Sequence, residues 1–120
     1  MTAQIVLLGA GYQVSVAEGA QGALKELLIA RDEAEDVDLL VTDLDMPGSN
    51  GLELVDLLRI LDFSIPVLLM SGKGEEDLEF EMRKRGLDQL LEKPFSPDEL
   101  LARVGSILRS KRDKHRGGQS

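Results

Sequence analysis

VDLLVTDLDMPGSNG, residues 37–51, sets the reading of everything around it. Val37, Leu39, Leu40 and Val41, interrupted only by Asp38, lead to the carboxylate of Asp43, then to Met46-Pro47-Gly48 and Asn50-Gly51. A short apolar run closed by turn residues predicts a buried parallel strand over Val37–Thr42. Asp43 then falls at the strand's carboxyl end, where open α/β sheets build their sites. Downstream, Asn50 and Glu53 form a capping-box pattern for a helix that turns Leu52, Val55, Leu58 and Leu61 inward. A second buried strand follows at Ile65–Met70, with Pro66 near its start where a lost donor is tolerated, and it ends in Ser71-Gly72-Lys73-Gly74. Upstream, Ala20, Ala23, Leu24, Leu27 and Leu28 keep the 3.6-residue period of an amphipathic helix reaching about Ala34.

Farther out the pattern continues to alternate. A very charged, poorly amphipathic helix is expected over Glu75–Arg85, with acids at the positive end of its dipole. Leu87–Glu92 reads as a short strand, and Lys93-Pro94-Phe95 follows it. Ser96, Pro97 and Glu99 supply N-cap, first-turn proline and capping-box glutamate for a last helix to about Arg109, with Leu100, Val104, Ile107 and Leu108 as its stripe. At the amino end, Tyr12–Ala17 alternates as a strand. Only Gly9-Ala10-Gly11 separates it from the apolar residues 2–8. That gap is too short for a parallel crossover, so a hairpin or a helix end is possible, and glycines in the C-terminal position favour the helix end. Strands and helices in alternation predict an α/β fold with a parallel sheet and right-handed crossovers. The expected domain covers residues 1–110, and residues 111–120 read as a basic flexible tail.

Composition narrows the chemistry. The chain has 120 residues, 42% hydrophobic and 30% charged, which suits one globular domain. It has no Cys, and its one His, His115, lies in the polar tail, so thiolate catalysis, Cys- or His-based metal sites and a Ser-His-Asp triad have no material. No apolar run is long enough for a membrane span and no secretory signal opens the sequence, so a soluble, cytoplasmic protein is expected. The net charge is −8, with +4 in residues 109–120 and −12 in the rest. An acidic body repels phosphate backbones, which argues against nucleic acid as a partner.

Three polar residues, Asp43, Ser71 and Lys93, each follow a predicted buried strand. Parallel strands end on one edge, so these side chains can meet although they are far apart in sequence. A carboxylate nucleophile, a hydroxyl donor and an ammonium are what phosphoryl transfer to an aspartate needs. Each has an ordinary alternative as a loop cap, a turn residue or a surface lysine, and only their joint placement is distinctive.

The segments GYQVSVAEGAQGAL (11–24), DLLVTDLDMPGSNGLELVDLLR (38–59), IPVLLMSG (65–72) and EKPFSPDELLARV (92–104) resemble the receiver domains of two-component response regulators. The resemblance implies a flavodoxin-like, doubly wound fold in which Asp43 is the phospho-acceptor, Ser71 and Lys93 contact the phosphoryl group, and the backbone carbonyl of Asp45 is a Mg²⁺ ligand beside Asp43. It implies a cis peptide before Pro94, and a histidine kinase or phosphotransfer protein as partner. Two departures stand out. The family's first strand, with its acidic pair, and most of its first helix have no counterpart here. Metal affinity and phosphorylation should therefore fall, and a partner, a homodimer or residues 3–8 could complete the sheet. Leu90 replaces the aromatic switch residue. A pseudo-receiver that binds protein without phosphorylation is the main alternative. A haloacid-dehalogenase-type phosphatase, with Asp43-Leu44-Asp45 as its D-x-D motif, is a remote one, because Met46-Pro47 and Lys93-Pro94-Phe95 are receiver features.

Overall fold

The computed structural model of the protein describes residues 2–45, 51–72 and 76–117. Asn50, Met46-Pro47-Gly48 and Lys73-Gly74, to which the sequence assigned capping and turn roles, lie outside those residues. Two compact units divide the chain. One is formed by Met1–Val16 with Phe95–Ser120, and the other by Ala17–Pro94.

The larger unit carries the sheet. Strands β1 (Leu40–Asp43), β2 (Val67–Ser71) and β3 (Leu90–Glu92) are all parallel, in the order β1-β2-β3. The register pairs Leu40 with Val67, Asp43 with Met70, and Ser71 with Glu92. β1 starts three residues later than the sequence predicts. Pro66 gives its carbonyl to the Leu40 N–H at 2.9 Å but has no N–H to return, so the ladder begins beyond it. β3 is likewise shortened, because the Leu87 N–H is spent on Met82 C=O at the end of the preceding helix.

β2 is buried along its whole length, as expected for a central parallel strand with both faces covered. Helices α2 (Gly19–Asp32), α3 (Gly51–Ile60) and α4 (Glu76–Lys84) belong to the same unit. Val55 of α3 and Leu78 and Met82 of α4 pack with Val67 and Leu69, and Leu90 of β3 leans on this cluster. A second cluster joins Leu27 of α2 to Leu54 and Leu58 of α3. The charged α4 is thus anchored by just two apolar positions one turn apart.

Helices α1 (Ala3–Gly9) and α5 (Pro97–Gly117) contact one another in the smaller unit. α1 confirms the helix-end reading. Gly11 at φ +97° lets the Tyr12 N–H return to Leu7 C=O and the Gly11 N–H to Leu8 C=O, the paired bonds of a Schellman stop. The strand expected at Tyr12–Ala17 does not form: no ladder among the described residues reaches it, and alternation without a hydrogen-bonded neighbour does not make a strand. α5 starts as predicted, the Ser96 hydroxyl accepting the Glu99 N–H at 3.1 Å. It runs past Arg109 to Gly117, into the segment expected as a flexible tail. No glycine or proline interrupts residues 106–116, and Lys and Arg are good helix formers that suit the negative end of the dipole.

Candidate functional site

The carboxyl ends of β1, β2 and β3 bring together Asp43, Ser71 and Lys93. Asp43 is the last residue of β1 and Ser71 the last of β2, while Lys93 directly follows β3 and its N–H donates to Ser71 C=O at 2.7 Å. That bond fixes the root of the lysine beside the serine. The lysine ammonium then reaches across β2 to Asp43 Oδ2 at 2.6 Å, a charge-assisted contact at the short end of its range. Asp43 and Lys93 are 21% and 32% exposed, so the pair is open to a small solute yet partly shielded from screening water. Lys93 is held above the usual lysine value, first by its hydrogen bond to Asp43, which outweighs the opposing desolvation, and further by the charges of Asp43 and Asp45. It is therefore an ammonium throughout the physiological range. Ser71 is buried. The Lys93–Pro94 peptide is cis.

The turn after β1 adds the N–H and the side chain of Asp45 to this edge. The Asp45 N–H donates to Asp43 Oδ1 at 2.9 Å, so both oxygens of Asp43 accept a bond. The Asp45 side chain, a candidate only in the D-x-D alternative, turns toward β2: its Oδ2 accepts the Gly72 N–H at 2.5 Å and lies 3.6 Å from Lys93 Nζ. Gly72 leaves room for this contact, since a Cβ at this position would fall 2.8 Å from Asp45 Oδ2 and the aspartate would have to shift. The signal was present in outline, because an aspartate in a turn commonly caps nearby N–H groups. Which strand it would cap could not be read before the strands were ordered. Gly51, at the start of α3, shows similar closeness: a Cβ would meet Leu44 Cδ2 at 2.7 Å and Thr42 Oγ1 at 3.0 Å, so it lets α3 begin directly against β1.

Receiver domains generally bind Mg²⁺ at their acidic site, and the donor set here can be tested against that. A divalent cation of this kind demands several oxygen ligands at once. Among the described residues no group of three or more His, Cys, Asp or Glu side chains comes together, and the two carboxylates present are engaged with Lys93 and with backbone N–H groups. In this arrangement the side chains do not fit Mg²⁺, and no chemical step is assigned to it. Leu90 is half-buried against the Val55–Leu69–Met82 cluster.

The carboxyl edge of this parallel α/β sheet thus gathers an aspartate, a serine and an ammonium. The chain belongs to the response regulator receiver domain family, which it matches over residues 1–105. It is 36% identical over 107 residues to the phosphate regulon transcriptional regulatory protein PhoB of Pseudomonas aeruginosa, an alignment covering 88% of this chain and 44% of that protein. The chain thus spans less than half the length of that curated relative. The crystal structure of the receiver domain of NtrX from Brucella abortus superposes with TM-score 0.72 at 28% identity, covering 89% of this chain and 87% of that one. A CheY-like receiver from Methanospirillum hungatei superposes with TM-score 0.78 over 93% of this chain and 86% of that one, at 22% identity, a likeness of fold. These relatives are response regulators or their receiver domains. Among the described residues no helix is long and apolar enough to cross a membrane.

Proposed function

We propose that this chain is a phospho-accepting receiver domain, with Asp43 as acceptor and a histidine kinase or phosphotransfer protein as donor. The observation that carries the reading is the 2.6 Å contact between Lys93 Nζ and Asp43 Oδ2 at a strand edge shared with Ser71. In the transfer, a carboxylate oxygen of Asp43 bonds to phosphorus as the P–N bond of a phosphohistidine breaks. The electron pair stays on the departing imidazole, which then takes a proton from water. Charge gathers on the equatorial oxygens, where Lys93 and the Ser71 hydroxyl act as electrostatic and hydrogen-bonding partners. The chain itself is then a signalling partner and not an enzyme, working in the cytoplasm where such kinases present their phosphohistidine.

The backbone carbonyl of Asp45 and any Mg²⁺ belong to this proposal only as family expectations, as do Leu90 at the switch position and a homodimer that completes the sheet. The pseudo-receiver alternative draws on the missing acidic pair and on Leu90, and the Asp45 carboxylate, which accepts the Gly72 N–H and faces Lys93, adds to it. Intact mass after incubation with acetyl phosphate and Mg²⁺ separates the two. One added phosphoryl group on the parent and none on Asp43→Asn is expected. No addition on either chain would leave the interaction-module reading.

A further inference from the structure

We infer that a recess at the amino end of the sheet receives basic side chains from the carboxyl-terminal helix of a second copy of this chain. The recess lies where the segments entering β1 and β2 meet α2, at the end of the strands opposite Asp43, and encloses about 220 Å³. Leu27, buried, and Phe63 and Ile65, half-buried, give it an apolar floor continuous with the cluster between α2 and α3. An apolar cavity of roughly 150 Å³ already admits a benzene-sized group, so the stem of one long side chain fits. Glu35, Asp36 and Asp62 line the same recess and are exposed. Among the described residues none of these three carboxylates has a hydrogen-bonding or ion-pairing partner. Arg31, the cation of the lining, is engaged elsewhere: its Nη1 donates to Leu61 C=O at 2.7 Å, and its guanidinium lies 4.2 Å from the centre of the Phe63 ring.

An apolar floor beneath three unpaired carboxylates is the complement of a lysine or arginine, which buries its methylene stem and keeps its charge at the surface. This chain carries such residues together. Residues 109–120 hold a charge of +4 against −12 over the rest, and α5 extends through them to Gly117. Helical structure keeps the segment stiff, so little chain entropy is lost on docking. Reciprocal docking, each copy offering its helix to the recess of the other, is the twofold form of such a contact. It uses none of Asp43, Ser71 and Lys93 and does not depend on phosphoryl transfer.

Sedimentation velocity of the full chain over a concentration series, at low and high salt, is the test. The parent should dimerise, and the dimer should weaken as salt rises. Asp36→Asn combined with Asp62→Asn should weaken it about three- to tenfold at low salt, the scale of one or two surface ion pairs. Asn suits the left-handed φ of 62° at Asp62, so that loop is kept. The sign is decisive. The protein carries a net charge of −8, so neutralising two carboxylates lowers the repulsion between copies, and association by any other surface would tighten. Tightening, or no change, overturns the inference. A mixture of this variant with Arg112→Gln, Arg116→Gln should associate more tightly than either variant alone, since one brings an intact helix and the other an intact recess; a mixture no tighter than both overturns it. A parent that stays monomeric throughout the series overturns it as well, whether the helix docks on its own chain or nowhere.

Discussion

Two places in the molecule set one cation against two carboxylates, and they are built to opposite ends. At the sheet edge, Lys93 faces Asp43 and Asp45. Between α3 and α4, Arg85 faces Asp56 and Glu81: its Nε and Nη2 take the two oxygens of Asp56 at 2.9 and 3.1 Å, while Nη1 takes Glu81 Oε2 at 2.6 Å. Arg59 adds a bond from its guanidinium to the Arg85 carbonyl. The arginine spends its planar fork on fixed partners and is 18% exposed. Such bidentate geometry joins two helices and leaves little capacity for a ligand. The lysine is a point charge on a flexible stem at a strand end, and it can transfer its donors from one anion to another. Charge number is the same in both clusters. What separates structure from chemistry is donor geometry and the element that holds it.

The widest difference should appear on removing each cation. Lys93→Gln is expected to slow phosphoryl uptake from acetyl phosphate about 10²- to 10³-fold, the usual cost of losing a charge-stabilising donor, while the thermal midpoint moves little. Comparable uptake in the variant would place the chemistry elsewhere. Arg85→Ala should show the reverse pattern, retaining uptake and losing about 1–2 kcal/mol of stability in urea unfolding. Arg85→Lys should recover little of that loss, since an ammonium cannot span both Asp56 oxygens. Full recovery would show that charge alone matters there.

Smaller effects lie at the extremes of pH and have opposite signs. Lys93 is held above its ordinary 10.5 mainly by the Asp43 hydrogen bond, so its contribution is complete below that value and is lost as pH rises through the higher folded one. Glu81 is held below its ordinary 4.5, chiefly by the Arg85 hydrogen bond and then by the Lys84 charge, so its contribution is complete above 4.5 and is lost as pH falls through the lower folded one. Thermal midpoints against pH should therefore lose their alkaline decline in part in Lys93→Gln and their acid decline in part in Glu81→Gln. Unchanged limbs in both variants would remove the electrostatic basis of the comparison.

Smallest of all is a helix end shared by α2 and α3. Both close with paired Schellman bonds, yet the left-handed residue is Ala34 at φ 56° in one and Asp62 at φ 62° in the other. Ala34→Gly should relieve roughly 0.5–1 kcal/mol of backbone cost, seen as a higher urea midpoint with uptake unchanged.

Much of this was legible in the chain. Apolar runs ending in Asp43, Ser71 and near Lys93 placed three strand ends, because a buried parallel strand leaves a strong local signature. The Ser96 cap and the glycine stop after α1 were legible for the same reason: both act within one turn. What escaped depended on pairing. Tyr12–Ala17 alternates without acquiring a neighbour, and the first residues of the predicted strands were lost to Pro66 and to the close of α4. The Arg85 clasp and the side chain of Asp45 join residues more than 25 positions apart, which no local pattern displays.

β2 is the only strand among those described with a hydrogen-bonded partner on each side, and Ser71 closes it. Its amide protons between Val67 and Ser71 should then be the last in the sheet to exchange with deuterated solvent, released only when the whole unit opens. The serine hydroxyl would ride on the slowest-breathing part of the molecule, while Asp45 on its turn and Lys93 at the end of a three-residue strand move around it. Loading and unloading would thus be felt first at the periphery, against a fixed central reference.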